Sequence, residues 1–415
     1  MPSTEPAARG RSAARDSGLL GLAAAAAGLA AYVFVSIGTR TYGATAFAPV
    51  AVLWTLWVAA SAALTFPLQH WTIRAVAVDG GEGGVRSQRR TLVRVLIPTS
   101  AVVLVVLTVA REQVFLDDSL VYPVATAALV PLSATHGLAR GLLAARKRFG
   151  ALAALIASEN VVRVVALAAL VALDLPVTVV PGALLAGFLV LLAWPSSLRI
   201  PALAMPPRDD LRSALQLASG QVMGQLLLAG PPVVLALLDA PAAAVTALFS
   251  AMALLRAPHL LLLGASPRLT DALVGDDHTT SVWVRRVLLG GLVATPAVAA
   301  LAGPVVRWLL PLVFGPTVSL ALRTSVVATA GGWLALLTLA ATLLALAEGR
   351  SRRIGPAWGI AALLGTPVLV VGARGALTVV TWLAATELAA FALLLWQRSP
   401  QAATDGHHSP NGRSH

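Results

Sequence analysis

Residues 376–396 read ALTVVTWLAATELAAFALLLW, an unbroken apolar stretch with one charge, Glu387. At a rise of about 1.5 Å per residue this makes a helix about 30 Å long, the thickness of a bilayer's hydrocarbon core. It does not alternate apolar and polar positions as a membrane-barrel strand would. The same continuity recurs at Phe188–Ala193 and Leu260–Leu263. Lipid offers backbone groups no partners, so only helices and closed barrels can span it. These runs select helices.

Working outward, eleven more spans fall near Ser17–Ser36, Ala46–Leu68, Thr91–Ala110, Ser119–Gly141, Ala151–Leu173, Val177–Trp194, Leu211–Leu238, Pro241–Gly264, Val284–Leu309, Ser319–Leu346 and Ile354–Val371. The first is too long for a signal-peptide core and is followed by more spans. Composition agrees: of 415 residues 58% are hydrophobic and 12% charged, with a mean hydropathy of +0.82. A soluble fold of that size has no way to hide so much apolar surface. The expected fold is an all-α polytopic membrane protein of about twelve transmembrane helices.

Arginine sets the orientation. One set of loops holds Arg74, Arg86, Arg89, Arg90 and Arg94, then Arg140–Arg148, Arg199–Arg212, Arg256–Arg286 and Arg350–Arg353. The other has only Arg40, Arg111, Arg307, Arg323 and Arg374. The positive side is cytoplasmic, which predicts an even number of spans and both termini inside. The net charge of +12 is explained by those loops, so no nucleic-acid partner is expected. Trp54, Trp57, Trp194, Trp283, Trp308 and Trp396 fall near span ends, where interfacial belts are found. With no cysteine, thiolate chemistry and disulfides are excluded. No nucleotide loop, zinc spacing or nucleophile–base set is visible, so neither an enzyme nor a cofactor is expected.

The proline-rich loop 196–210 divides six spans from six. Phe66-Pro67-Leu68-Gln69-His70 in the first half echoes Ala257-Pro258-His259-Leu260 in the second. Gly141–Gly150 echoes Leu343–Gly355. The expected organisation is a disordered tail (1–17), an N-terminal bundle (18–195), a linker (196–210), a C-terminal bundle (211–397) and a second disordered tail (398–415). A parallel repeat of this kind points to a path between the halves.

Polar residues inside the spans are few. Arg163 lies near the middle of the fifth, where a charge costs at least about 2.5–3.5 kcal/mol. It reads as a cavity cation for phosphate oxygens and as the partner of Glu159, one turn away, beside Asn160, two roles that are compatible if the pair opens when substrate arrives. In the seventh span Gln216, Ser219, Gln221 and Gln225 form either a sugar-binding face or interhelical glue, with a kink expected at Pro231-Pro232. Arg256 either guides an anionic headgroup or snorkels to the interface. Glu387 is the best single candidate for proton coupling. His70 and His136 are expected at the interface and form no metal-ligand set, and Arg146-Lys147-Arg148 suits a topology determinant or, alternatively, a contact with anionic membrane lipids.

Four segments make the chain similar to the MOP superfamily, and within it to the polysaccharide (Wzx-type) flippases. They are Gly38–Phe47, resembling the turn after helix one; the basic segment Trp71–Arg94; Arg140–Gly150, between spans four and five; and Glu159–Arg163, a polar patch in span five. The resemblance implies two six-helix bundles around a central cavity in the bacterial cytoplasmic membrane. It also implies a polyprenyl-diphosphate-linked glycan as substrate, with glycosyltransferases or a polymerase as possible pathway partners. The chain is too short for the two extra spans of lipid II flippases. Its first helix has neither their buried basic residues nor the carboxylates common in MATE antiporters. Two alternatives follow: a cation-coupled exporter of small amphipathic molecules, and a non-transporting scaffold for glycan-synthesis enzymes.

Overall fold

The computed structural model describes residues 5–78, 83–194, 223–274, 278–348 and 350–396. Among these residues there are helices and no strands. The linker 196–210, the tail 398–415 and Gln216, Ser219 and Gln221 lie outside the described residues.

The first helix, α1 (Glu5–Ala60), runs 56 residues. As one straight rod it would be roughly 84 Å long, nearly three membrane thicknesses. It reverses at Gly43, whose backbone (φ 80°, ψ 161°) leaves the helical region for one open essentially to glycine alone. The rings of Phe34 and Trp54 stand 4.9 Å apart, and a side chain at Gly38 would collide with Phe47. In a straight helix residues twenty apart are separated by roughly 30 Å. The two arms are therefore the first two predicted spans, packed antiparallel. The first arm begins at Glu5; Ala7, Ala8, Ala13 and Ala14 favour helix there.

A π-helical turn, Ser61–Thr65, carries the second arm into α2 (Phe66–Val78). Then follow α3 (Gly83–Val109), the short α4 (Arg111–Phe115), α5 (Val121–Ala145) and α6 (Phe149–Ala172). On α3 the side chains of Val95, Ile97, Val102, Val105 and Val106 point outward, an apolar surface suited to lipid. α5 approaches the π-turn at Gly137, where a Cβ would stand 2.6 Å from the Thr65 carbonyl. The sixth predicted span is broken into two 3₁₀ segments, Val177–Val179 and Gly187–Ala193, around α7 (Val180–Ala186).

In the second half residues 223–229 are helical, Gly230 interrupts, and α8 (Pro231–Leu237) begins on the two prolines. Gly230 keeps helical dihedrals, and the two prolines remove two backbone donors there. α9 (Ala242–Val274), α10 (His278–Phe314), α11 (Leu322–Ala347), α12 (Ser351–Val371) and α13 (Ala376–Trp396) complete the chain. Eight stretches among the described residues are long and apolar enough to cross a membrane, one of them, Gly18–Val76, containing the α1 hairpin. α5 carries Ser133, His136 and Arg140 and is less apolar, while 177–193 and 223–237 are short or interrupted.

Loops predicted to share the arginine-poor side do meet at one end. Tyr42 Oη donates to the Leu175 carbonyl at 3.0 Å, and Arg374 stands 3.8 Å from Asp239. At the opposite end Arg140 lies over the Phe66 ring and Arg285 grips both carboxylate oxygens of Glu348. Trp283, Trp308 and Trp396 are exposed as belt residues should be. Trp54 and Trp57 are not: Trp54 is buried on Phe34 and Phe249, and Trp57 packs edge-on against Trp54. They sit on the inner arm of the hairpin, which faces protein instead of lipid.

Gly43→Ala should lower stability by about 1–3 kcal/mol through backbone strain alone, because no atom lies within 4 Å of the added Cβ. Gly28→Ala, equally open but inside the helix, should be neutral or stabilising. Thermal unfolding in detergent separates the two; equal effects would contradict the reversal at Gly43.

Candidate functional site

Three polar centres stand out, one in each bundle and one between them. In the N-terminal bundle, Glu159, Asn160 and Arg163 share one face of α6. Arg163 is 0% exposed. Its Nε donates to the Leu184 carbonyl at 2.9 Å and Nη1 to Asn160 Oδ1 at 3.2 Å, while Nη2 pairs with Glu159. His136 Nδ1 approaches the other carboxylate oxygen at 3.4 Å. The guanidinium lies 4.0 Å from the Trp57 ring centroid and 5.3 Å from that of Phe188. Gly187 leaves room for it, since a Cβ there would come 2.5 Å from Nε.

Of the two readings of Arg163, this geometry gives the pair with Glu159. In this conformation the guanidinium is enclosed by protein on all sides. Helical spacing made the pair legible, whereas Trp57, Phe188, His136 and the Leu184 carbonyl come from other segments and left no local signal.

Glu159→Gln should cost about 3–5 kcal/mol, because it strands a buried cation. The double variant Glu159→Leu/Arg163→Met should recover much of that. Denaturation of the purified protein measures both, and a double variant no better than the single one would contradict a mainly structural pair.

The cation between the bundles is Arg256. It lies one turn beyond Ala253, whose carbonyl accepts from Tyr32 of the opposite bundle at 2.8 Å. The guanidinium is close enough to interact electrostatically with the Tyr32 hydroxyl. Nη2 reaches Gln225 Oε1 at 3.5 Å, while Nε is shielded and has no partner among the described residues. No carboxylate within ion-pair range of Arg256 is found among the described residues.

Gln225 joins this arginine to the third centre. Its Nε2 is 2.8 Å from His259 Nε2, and both side chains line a cavity of about 20 Å³ with Gly224, Ala335, Thr342, Trp358 and Glu387. Glu387 is 0% exposed, beside the Thr338 hydroxyl, and neither carboxylate oxygen has a geometric hydrogen-bond partner among the described residues. The neutral acid is the form that such a setting tolerates. His259, quoted in the sequence only as part of the repeat, is the member of this site that sequence reading missed; Gln225 and His259 are 34 positions apart.

A clasp links the two halves at the arginine-poor end. Ser36, Thr39 and Arg40 lie on one face of the first hairpin arm and capture the carbonyls that end α10. Ser36 Oγ donates to Val313 and Thr39 Oγ1 to Phe314, both at 2.6 Å. Arg40 Nε donates to Val313 at 3.1 Å and Nη2 to Leu312. Beyond the helix end Gly315 turns with φ 100°, and a Cβ there would crowd Arg40 at 3.1 Å. Thr246 Oγ1 donates to the Ala44 carbonyl at 2.6 Å, and Ala44 N–H donates to Thr317 Oγ1 at 3.3 Å. From Gly43 to Tyr32 is roughly 16 Å along a helix, so the join reaches about half the depth of a bilayer.

This architecture is shared with membrane transporters of the MOP superfamily. An inward-facing multidrug resistance MATE family transporter of that superfamily is similar with a TM-score of 0.65 at 13% identity, over 92% of this chain and 96% of its own. An outward-facing MATE structure gives 0.59 at 15% identity, over 94% and 96%. The lipid II flippase MurJ, in an inward closed conformation, gives 0.62 at 12% identity, over 91% and 87%. No family model and no curated protein matches the sequence. At such identities the likeness establishes the fold: an all-α, MATE-like membrane fold.

Proposed function

We propose that this protein is a transporter that crosses the cytoplasmic membrane twelve times, with both termini inside. It carries a polyprenyl-diphosphate-linked glycan outward by alternating access, for cell-surface polysaccharide synthesis. The observation that supports an anionic cargo most directly is Arg256. A cation placed between two bundles, with its Nε unused and no carboxylate in range among the described residues, invites an anion. Guanidinium groups bind phosphate oxygens in pairs. The lipid tail would remain in the bilayer while the headgroup passes between the bundles.

The conformation suits loading from the cytoplasm. The halves are clasped at the end whose loops are poor in arginine, which the charge rule places outside. Glycosyltransferases or a polymerase of the same pathway would be its working partners.

A second reading, a cation-coupled exporter of small amphipathic molecules, draws on a different observation. Glu387 is an enclosed carboxyl without a geometric hydrogen-bond partner among the described residues, as a proton-coupled exporter would require.

Arg256→Ala should reduce glycan export at least tenfold at normal expression, and Arg256→Lys should retain part of it, since lysine keeps the charge and loses the paired geometry. Export assayed in cells lacking the native protein decides this. Full export by Arg256→Ala would overturn the anion reading; drug resistance on overexpression, abolished by Glu387→Gln, would favour the second.

A further inference from the structure

Gln225 touches both the unpaired arginine and the enclosed cavity, and its amide has a donor end and an acceptor end. With Oε1 toward Arg256, the NH₂ group must donate to His259 Nε2. His259 is then neutral, with Nε2 as acceptor and its proton on Nδ1. The ring packs beside Ala335. The cavity it borders, about 20 Å³, has room for one water. The charged and titratable groups around His259 are Glu387 on α13 and Arg256 on its own helix, with the neutral Gln225, Thr342 and Trp358 completing the wall.

We propose that Gln225 is an amide switch by which protonation of His259 releases Arg256 for anion binding. A proton arriving on Nε2 turns that nitrogen from acceptor into donor. Two donors then face each other across the 2.8 Å contact. The conflict is relieved when the amide turns over and offers Oε1 to the imidazolium. That rotation points the NH₂ group at the guanidinium and removes the only hydrogen-bond acceptor that Arg256 has among the described residues. The freed guanidinium presents all its donors to a ligand. The proton remains on His259 and no bond is broken. Linkage makes the effect reciprocal, so a bound anion favours proton uptake at the same site. Gln225 is a positioning residue here and touches no cargo. The inference rests on the reading of Arg256 as the anion-binding residue.

The test uses the full chain in lipid nanodiscs with undecaprenyl diphosphate as probe. Binding is measured from about pH 8 to about pH 4, a range that spans the ordinary titration of histidine. Wild type should gain about tenfold in affinity as pH falls, the equivalent of one hydrogen bond to a charged group. Gln225→Met, of similar length and without hydrogen bonds, should bind at the higher level with no pH dependence. His259→Gln should also be independent of pH. A Gln225→Met variant that keeps the wild-type pH slope overturns the switch.

Should wild type bind no diphosphate at any pH, the cargo reading fails and a second measurement judges the switch alone. Infrared difference spectra between the two pH extremes should contain a side-chain amide change that disappears in both Gln225→Met and His259→Gln. A wild-type spectrum without that change overturns the proposal.

Discussion

The fold depends on how one helix end is satisfied. The last carbonyls of a helix have no partners within it, and at α10 they are supplied by Ser36, Thr39 and Arg40 from the opposite half of the molecule. A guanidinium at a helix C-terminus is also favoured by the helix dipole. These bonds, with those of Thr246, Thr317 and Tyr32, join two bundles that also meet in apolar contact along the α1 hairpin and α9, around Trp54, Phe249 and Met252. Every larger feature follows from where that join is made. It closes one end, reaches to Tyr32, and leaves Arg256 a turn beyond the last inter-bundle hydrogen bond.

The two buried arginines illustrate how environment assigns roles to identical side chains. Arg163 has a carboxylate, an amide oxygen, a main-chain carbonyl and two aromatic faces. Its charge is fully compensated and it organises the N-terminal bundle. Arg256 has one long contact to an amide oxygen and no counter-ion among the described residues. An uncompensated cation inside a membrane protein is costly and is retained for function. The path proposed between the bundles therefore runs past the residue that is least satisfied.

Much of the fold was legible because lipid imposes a strict rule on sequence. Unbroken apolar runs give helices, and the last span, 376–396, matches α13 at both ends. The turn after helix one was legible in Gly38–Phe47, since Gly43 adopts a backbone that few other residues allow. The i, i+4 spacing announced the Glu159–Arg163 pair. The remainder was hidden for physical reasons. The clasp uses main-chain carbonyls, which carry no side-chain signature. The tryptophans at 54 and 57 have the composition of belt residues, and only packing distinguishes a wall of the bundle interior from an interface. His259 joins Gln225 and Glu387 across three helices, a relation that no local pattern encodes.

The central claim is that the clasped end must open for cargo to leave. Ala44 N–H lies 3.3 Å from Thr317 Oγ1, and the chain has no cysteine of its own. A disulfide between Ala44→Cys and Thr317→Cys would lock that end with no competing thiols. Glycan export by the cross-linked protein should be abolished and should return on reduction, whereas export at the wild-type level from fully cross-linked protein would contradict the account.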